Sequence, residues 1–547
     1  MAAVTNSIAA AVAANAAADA QGIAFWYGDH GLSWAEFDDR SRRVATGLAK
    51  LGIGAGDRVA LWLPNVPAWM ICFAALARLG AIAVASNTRF RSREIGDIWA
   101  RAGVKAAVLW PDYRHIDFPD ILGAALPELP ALQCLIEYSE NGSGESVALK
   151  TLLSRSATQL QRVAYADLER SAPLPMDSDA GTPDTPCLTF NTSGTTSKPK
   201  LVLHTHGSVL RHAHDVARVF GYAQPDQVTM QLLPFCGTYG FSQTMAAIVS
   251  RTPNAVHHTF DPAVAGDMIR RRKVTRAAMN LDLIRRIYEA EPDQVPFPGI
   301  RFFVGTHSNT LAAMEQERGF RVQGLYGSSE VQGLYSMQPD VDDPQRRLAY
   351  GGVPVAPTGR ARARSLTDGS ILPPGTHEIP GEAGELELYG PSLLAGYFND
   401  PAATKKAITD DGYFRTGDLG YALADGGFRF ITRIGDVLRL SGFLVNPAEI
   451  EDFIQDYPGV TRCQVVGVEP DPDDSTVTVP VAFYTGEAGI AEDALLAYCA
   501  RGMARYKVPK RILRLEEFPV VNSANNTKVR RTDLRDMGLR ALRPGAA

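Results

Sequence analysis

The 547-residue chain predicts an α/β protein. A large N-terminal domain of helix-covered mixed and parallel sheets is followed by a small α+β C-terminal domain, joined by a hinge. Three observations carry this. Strand-like runs alternate with helix-length amphipathic runs through residues 33 to 110, the pattern of parallel strands joined by helical crossovers. The length exceeds what one compact core sustains. The pattern also restarts after Arg433, where a stretch of ordinary domain size remains. The expected domains are therefore 1–433 and 434–547.

Each element has its own signal. The alanine-rich N-terminus reads as a surface helix leading into Ala24-Phe25-Trp26. Ser33-Trp34-Ala35-Glu36 is a capping box before a helix reaching about Leu51. Asp57 to Leu63 reads as a buried strand, Pro67 to Leu79 as a helix, and Ala81 to Ala85 as the next strand; Ala102 to Trp110 repeats the theme. Gly52-Ile53-Gly54-Ala55-Gly56 follows a helix and precedes a strand, the reverse of a dinucleotide fingerprint, so it is a helix-ending turn. Residues 139–148 and 171–186 are polar and turn-rich. Glu385 to Tyr389 alternates strictly, as a half-buried strand does. Strands at Cys463 to Val468 and Val477 to Tyr484 flank Asp471-Pro472-Asp473-Asp474, and a helix runs from Glu492 to about Met503.

Composition excludes several classes. A net charge of -5 gives no reason to expect nucleic-acid binding. Ala68 to Val84, the most apolar stretch, is broken by Arg78 and Gly80, so no stable membrane insertion is expected. The N-terminus lacks the basic region of a signal peptide. Six cysteines without Cys-x-x-Cys spacing suit reduced thiols and a cytoplasmic setting.

The functional signal begins at Asn191-Thr192-Ser193-Gly194-Thr195-Thr196-Ser197-Lys198-Pro199-Lys200, directly after the strand-like Cys187 to Phe190. Hydroxyls, backbone N–H groups and lysines are what nucleotide phosphates require. Alone, such a loop is ordinarily a solvated turn. It is not a Walker loop, which needs two glycines and Gly-Lys-Ser/Thr at fixed spacing.

Partners elsewhere change its weight. Tyr326-Gly327-Ser328-Ser329-Glu330, Thr416-Gly417-Asp418, Arg433-Ile434-Gly435-Asp436 with Ser441-Gly442-Phe443, and Asn526-Thr527-Lys528 follow in order. From about residue 25 to the end the chain resembles the adenylate-forming superfamily of acyl-CoA synthetases, peptide-synthetase adenylation domains and firefly-type luciferases, and most of all an acyl-CoA synthetase. The resemblance implies a two-step ligase. A carboxylate attacks the α-phosphate of ATP and expels pyrophosphate; a thiol, CoA, then takes the acyl group. The first step brings two anions together, so positioning and charge neutralisation are the protein's main task.

The residue roles also follow from the resemblance. Thr192, Ser193, Gly194, Thr195, Thr196 and Lys200 hold ATP phosphates, with Thr195 among the catalytic groups. Glu330 binds Mg²⁺, a hard cation suited to carboxylate oxygen. Tyr326, Gly327 and Ser329 line the nucleotide, as do Thr306 and His307, where the family has an adenine-binding stretch. Asp418 accepts from the ribose hydroxyls, Arg433 supports it, and Lys528 stabilises the transition state. Tyr239, Phe241, Val304, Gly305 and Gly333 are the expected acyl pocket. Gly435, Arg439, Ser441 and Gly442 belong to the hinge and the CoA path, and Gly435 is expected to serve as a pivot.

The chain departs from the family in places. Ser197 and Leu201 replace glycines of the phosphate loop, Gly237 stands where a gating histidine is common, and Thr527 precedes the lysine in place of glycine. His204 and His206 fall on one face if both lie on a strand, which keeps a metal site open; His212 and His214 point apart on a helix. Two other functions stay open: an enzyme loading an acyl carrier protein, and a non-catalytic nucleotide or acyl binder. The acid itself is compatible with aromatic, alicyclic or medium-chain classes.

Overall fold

The computed structural model describes residues 6–114, 116–140, 146–155, 159–192, 199–290, 299–304, 309–440, 443–470, 478–522 and 527–543. Among these the N-terminal region holds two large sheets with helices packed on them, and the C-terminal region a small sheet of its own.

The first large sheet has eight strands, in the order Gly396–Tyr397, Leu201–Thr205, Pro186–Asn191, Ile82–Ala85, Arg58–Trp62, Ala106–Leu109, Cys134–Glu137 and Gln161–Ala164. From Pro186–Asn191 outward to Gln161–Ala164 all pairings are parallel. The two strands at the other edge pair antiparallel. Val59, Ala60, Leu61 and Trp62 are all buried, as they must be in a parallel strand covered on both faces. The capping box forms as expected: Ser33 and Glu36 satisfy each other's backbone N–H groups and start the helix Trp34–Lys50. The helix Pro67–Arg78 is buried almost all round, and its terminal Arg78 is neutralised by Asp38 of the preceding helix.

The second sheet contains thirteen strands among the described residues. Its parallel part runs through Ile23–Tyr27, Asn254–Val256, Thr229–Gln231, Arg276–Ala278, Arg301–Val304 and Arg321–Tyr326. An antiparallel extension carries Gly384–Tyr389, Phe414–Ala422 and Phe428–Arg433. The alternating segment Glu385 to Tyr389 is therefore a strand, as its period predicts.

The N-terminal helix Ile8–Ala18 is exposed along Ala14, Ala17 and Ala18, as a surface helix is, but its other face packs inward: Ile8, Ala9, Ala11 and Val12 are buried and Asn15 Nδ2 donates to the Ile248 carbonyl at 2.7 Å.

The C-terminal sheet joins Val460–Val468 to Val479–Gly486 antiparallel and Val479–Gly486 to Arg511–Arg514 parallel, with helices Pro447–Gln455, Glu492–Gly502 and Arg531–Leu542 around it. The acidic run at 471–474 lies outside the described residues. Among the described residues no helix is long and apolar enough to cross a membrane.

Candidate active site

The site is built at strand ends. Strand Pro186–Asn191 turns back into Leu201–Thr205, with Asn191 paired opposite Leu201. The neck of the loop is closed twice: Thr192 N–H donates to the Lys200 carbonyl, and Lys200 N–H to Thr192 Oγ1, both at 3.0 Å. The chain leaves the loop into strand Leu201–Thr205. Ser193, Gly194, Thr195 and Thr196 lie outside the described residues.

Strand Arg321–Tyr326 ends in the Tyr-Gly-Ser-Ser-Glu motif, whose last residues form a short 3₁₀ turn at Ser329–Val331. The glycine is required by a close approach: a Cβ on Gly327 would stand 1.9 Å from the Gly333 carbonyl oxygen. Three contacts fix the turn. His204 Nε2 lies 2.9 Å from the Ser329 carbonyl, Leu394 N–H donates to the Glu330 carbonyl at 2.8 Å, and Tyr397 Oη donates to Glu330 Oε1 at 3.0 Å. A carbonyl only accepts, so His204 carries its proton on Nε2. Burial lowers its pKa to about 4, which keeps the ring neutral.

Asp418 and Arg433 face each other across paired strands, with Arg433 Nε 2.8 Å from Asp418 Oδ1. Tyr326 Oη donates to the other carboxylate oxygen, tying the two motifs together. Burial opposes the charge on Arg433, but Asp418, Tyr326 and Glu330 outweigh it and raise its pKa. Asp418 itself is buried, its N–H donating to Thr416 Oγ1 at 3.0 Å.

The expected acyl pocket is only partly reproduced. Tyr239 is held by a 2.5 Å bond from its hydroxyl to the Phe303 carbonyl. Gly333, at φ +79°, packs on the backbone of Thr238 and Tyr239. Phe241 is corrected: its ring sits in the core among Trp69, Phe73 and Phe190. Helix Thr238–Val249 turns that position inward, away from the face bearing Tyr239. Val304 ends its strand, whereas Gly305, Thr306 and His307 lie outside the described residues.

The expected hinge contains a 3₁₀ turn at Ile434–Asp436. Gly435 is not in the left-handed region here, so this conformation does not itself demand glycine. Its carbonyl accepts from Arg535 Nη2 at 2.9 Å. Arg439 lies on strand Leu438–Leu440; Ser441 and Gly442 are outside the described residues. Lys528 is paired opposite Val521 in a small antiparallel ribbon.

The histidines do not form a metal pair. His204 lies on the strand and reaches Ser329, while His206 opens the next helix and its Nδ1 accepts from Ile8 N–H at 3.2 Å. The strand ends one residue too early for both imidazoles to share a face. On that helix His212 is buried and His214 half-buried. Among the described residues no three His, Cys, Asp or Glu side chains gather in a metal-binding set. Sequence reasoning missed Tyr397, which lies on the two-residue strand Gly396–Tyr397, too short to show periodicity.

The architecture and these motifs match a known family. The model of the AMP-binding enzyme family matches residues 12–398, and that of the AMP-binding enzyme C-terminal domain matches residues 449–525. The chain belongs to the family of AMP-binding enzymes. It is 28% identical over 520 residues to the putative acyl-CoA synthetase YngI of Bacillus subtilis (strain 168), covering 92% of this chain and 91% of that protein. It is 27% identical over 509 residues to the feruloyl-CoA synthase of an Amycolatopsis species, covering 92% and 94%. In fold it is similar to ATP-bound MatB from Rhodopseudomonas palustris, with a TM-score of 0.79 at 23% identity, over 96% of this chain and 97% of that one.

Proposed function

We propose that the chain is an acyl-CoA synthetase that grips ATP between the phosphate-loop hairpin and the Tyr326–Glu330 turn, with the ribose on Asp418. It activates a carboxylic acid as the acyl-adenylate, releasing pyrophosphate, and passes the acyl group to the thiol of CoA, releasing AMP. The residue assignment is supported by two sets of contacts, one running from Thr192 through Lys200 and Tyr397 to Glu330 and the other joining Arg433, Asp418 and Tyr326, with Tyr326 and Glu330 in the same motif.

Lys200, Thr192 and the loop donors bind the β- and γ-phosphates. Asp418 accepts from the ribose hydroxyls while Arg433 and Tyr326 hold its two oxygens. Glu330 suits a magnesium ion, since it offers a half-buried carboxylate that, among the described residues, is engaged through one oxygen by Tyr397. When bound, that ion neutralises phosphate charge. Lys528 supplies positive charge at the α-phosphate, and residues 434 onward form the mobile part. Tyr239 and Gly333 border the acid, and six free, buried cysteines suit a reducing cytoplasm.

ATP–pyrophosphate exchange across a panel of aromatic, alicyclic and aliphatic acids tests the first step; no exchange with any acid would refute it. Adding CoA, or a holo-carrier protein in its place, then identifies the thiol acceptor.

A further inference from the structure

The reading above accounts for Lys200 and Glu330 but not for what stands between them. Lys200 Nζ lies 4.4 Å from the centroid of the Tyr397 ring, and the hydroxyl of the same ring donates to Glu330 Oε1 at 3.0 Å. The ring therefore stands between a cation on one side and a carboxylate on the other. Among the described residues no ion pair joins Lys200 to Glu330. The ring offers the ammonium its negative face and the carboxylate its hydroxyl, so each charge has a partner other than the other.

Tyr397 is well placed to hold that spacing. It is buried, and its strand pairs with the one leaving the phosphate loop, Tyr397 opposite Val202 and Gly396 opposite Leu203. Its N–H donates to Thr404 Oγ1 at 2.8 Å.

We propose that Tyr397 is a positioning residue for the metal–phosphate end of the ATP site: its hydroxyl orients the Glu330 carboxylate, and its ring seats the Lys200 ammonium and keeps the two charges from pairing. The inference rests on the ATP reading above. It makes two separable statements about one side chain. The hydroxyl serves the magnesium ligand; the ring serves the lysine.

Equilibrium binding of ATP, with Mg²⁺ and with EDTA, to the full chain and to Tyr397→Phe and Tyr397→Leu separates them. Tyr397→Phe keeps the ring. It should raise the Mg²⁺ concentration needed for half-maximal enhancement of ATP binding by about tenfold, the usual loss when a support of a metal ligand is removed, and leave metal-free ATP binding unchanged. Tyr397→Leu should in addition weaken metal-free binding by about two- to fivefold, through loss of the cation–π contact. In pyrophosphate exchange, KM for the acid should stay constant in Tyr397→Phe. Equal losses with and without Mg²⁺ in Tyr397→Phe, or no change at all, would overturn the proposal while leaving the ATP reading intact. Failure of the unaltered protein to bind ATP would instead overturn both. If Tyr397→Leu does not fold, Lys200→Met supplies the second arm: it should weaken metal-free ATP binding and leave the Mg²⁺ midpoint of the bound fraction unmoved. A shifted midpoint would count against a separate seat for the lysine.

Discussion

Arg433 Nε stands 2.8 Å from Asp418 Oδ1, and the two residues lie opposite each other where strands Phe414–Ala422 and Phe428–Arg433 pair. The pair closes the N-terminal sheet extension just before the hinge. It therefore fixes the Asp418 carboxylate, which the proposed function assigns to the ribose, opposite the end of the last strand of that extension. A buried carboxylate held by a guanidinium and a tyrosine hydroxyl is already oriented before a ligand arrives.

Asp418→Asn preserves shape and removes that charge. Charge-assisted hydrogen bonds contribute about 1.5–3 kcal/mol, so KM for ATP should rise by roughly ten- to a hundredfold. KM for the acid should change little. Initial-rate pyrophosphate exchange with each substrate varied in turn measures both; an unchanged KM for ATP would remove Asp418 from the nucleotide site.

Three buried histidines make stability pH-dependent. Burial lowers the pKa of His204 and His206 to about 4 and that of His212 to about 3. In the unfolded chain each returns to about 6.5. Between those values the unfolded state binds the extra protons, so stability is complete above about pH 6.5 and falls as the pH drops toward 4. The slope approaches about 1.4 kcal/mol per pH unit for each histidine. Urea midpoints from pH 7.5 to 5 should fall accordingly, and His212→Gln should flatten the curve. A flat profile for the unaltered protein would mean that these rings are not buried neutral.

Much of the fold was legible because its signals are local. The Ser33–Glu36 box, the buried Val59 to Trp62 strand and the alternation from Glu385 to Tyr389 each depend on adjacent residues. The motifs proposed for the site are local in sequence, whereas the contacts that support them are not. Tyr397 and Leu394 reach Glu330 from a segment more than sixty residues away, and His204 reaches Ser329 from more than a hundred. No periodicity encodes such contacts. Phe241 shows the converse: proximity in sequence to Tyr239 does not put the two side chains on the same side of the helix, and Phe241 packs on Trp69, Phe73 and Phe190.

Gly327 offers a steric test of the motif's backbone. A Cβ there would overlap the Gly333 carbonyl, so Gly327→Ala must push apart the Glu330 turn and the segment at Gly333. Both ATP and acid should then bind less well, and the melting temperature should fall with them. Gly417→Ala provides a contrast. At φ +70° it is strained by conformation, yet the nearest atom to its Cβ is Arg433 Nη1 at 3.8 Å, so the loss should be confined to ATP binding. Loss of acid affinity in Gly417→Ala but not in Gly327→Ala would contradict this arrangement.

Lys528 separates the two half-reactions. The first step needs positive charge where the acid's carboxylate meets the α-phosphate; the second displaces AMP from an already neutral acyl carbon and needs no such cation. Removing one preorganised charge-stabilising donor usually costs about 10²- to 10³-fold in rate. Lys528→Ala should therefore lower pyrophosphate exchange by that factor or more, while a supplied acyl-adenylate is converted to the thioester within a few-fold of the normal rate. Gly435→Pro should show the inverse pattern, because the pivot matters only when the C-terminal domain must turn to admit CoA. Stopped single-turnover assays of each half-reaction read both variants in one format. Equal loss of both steps in Gly435→Pro would remove the pivot from that residue. Normal exchange in Lys528→Ala would refute the role proposed for Lys528.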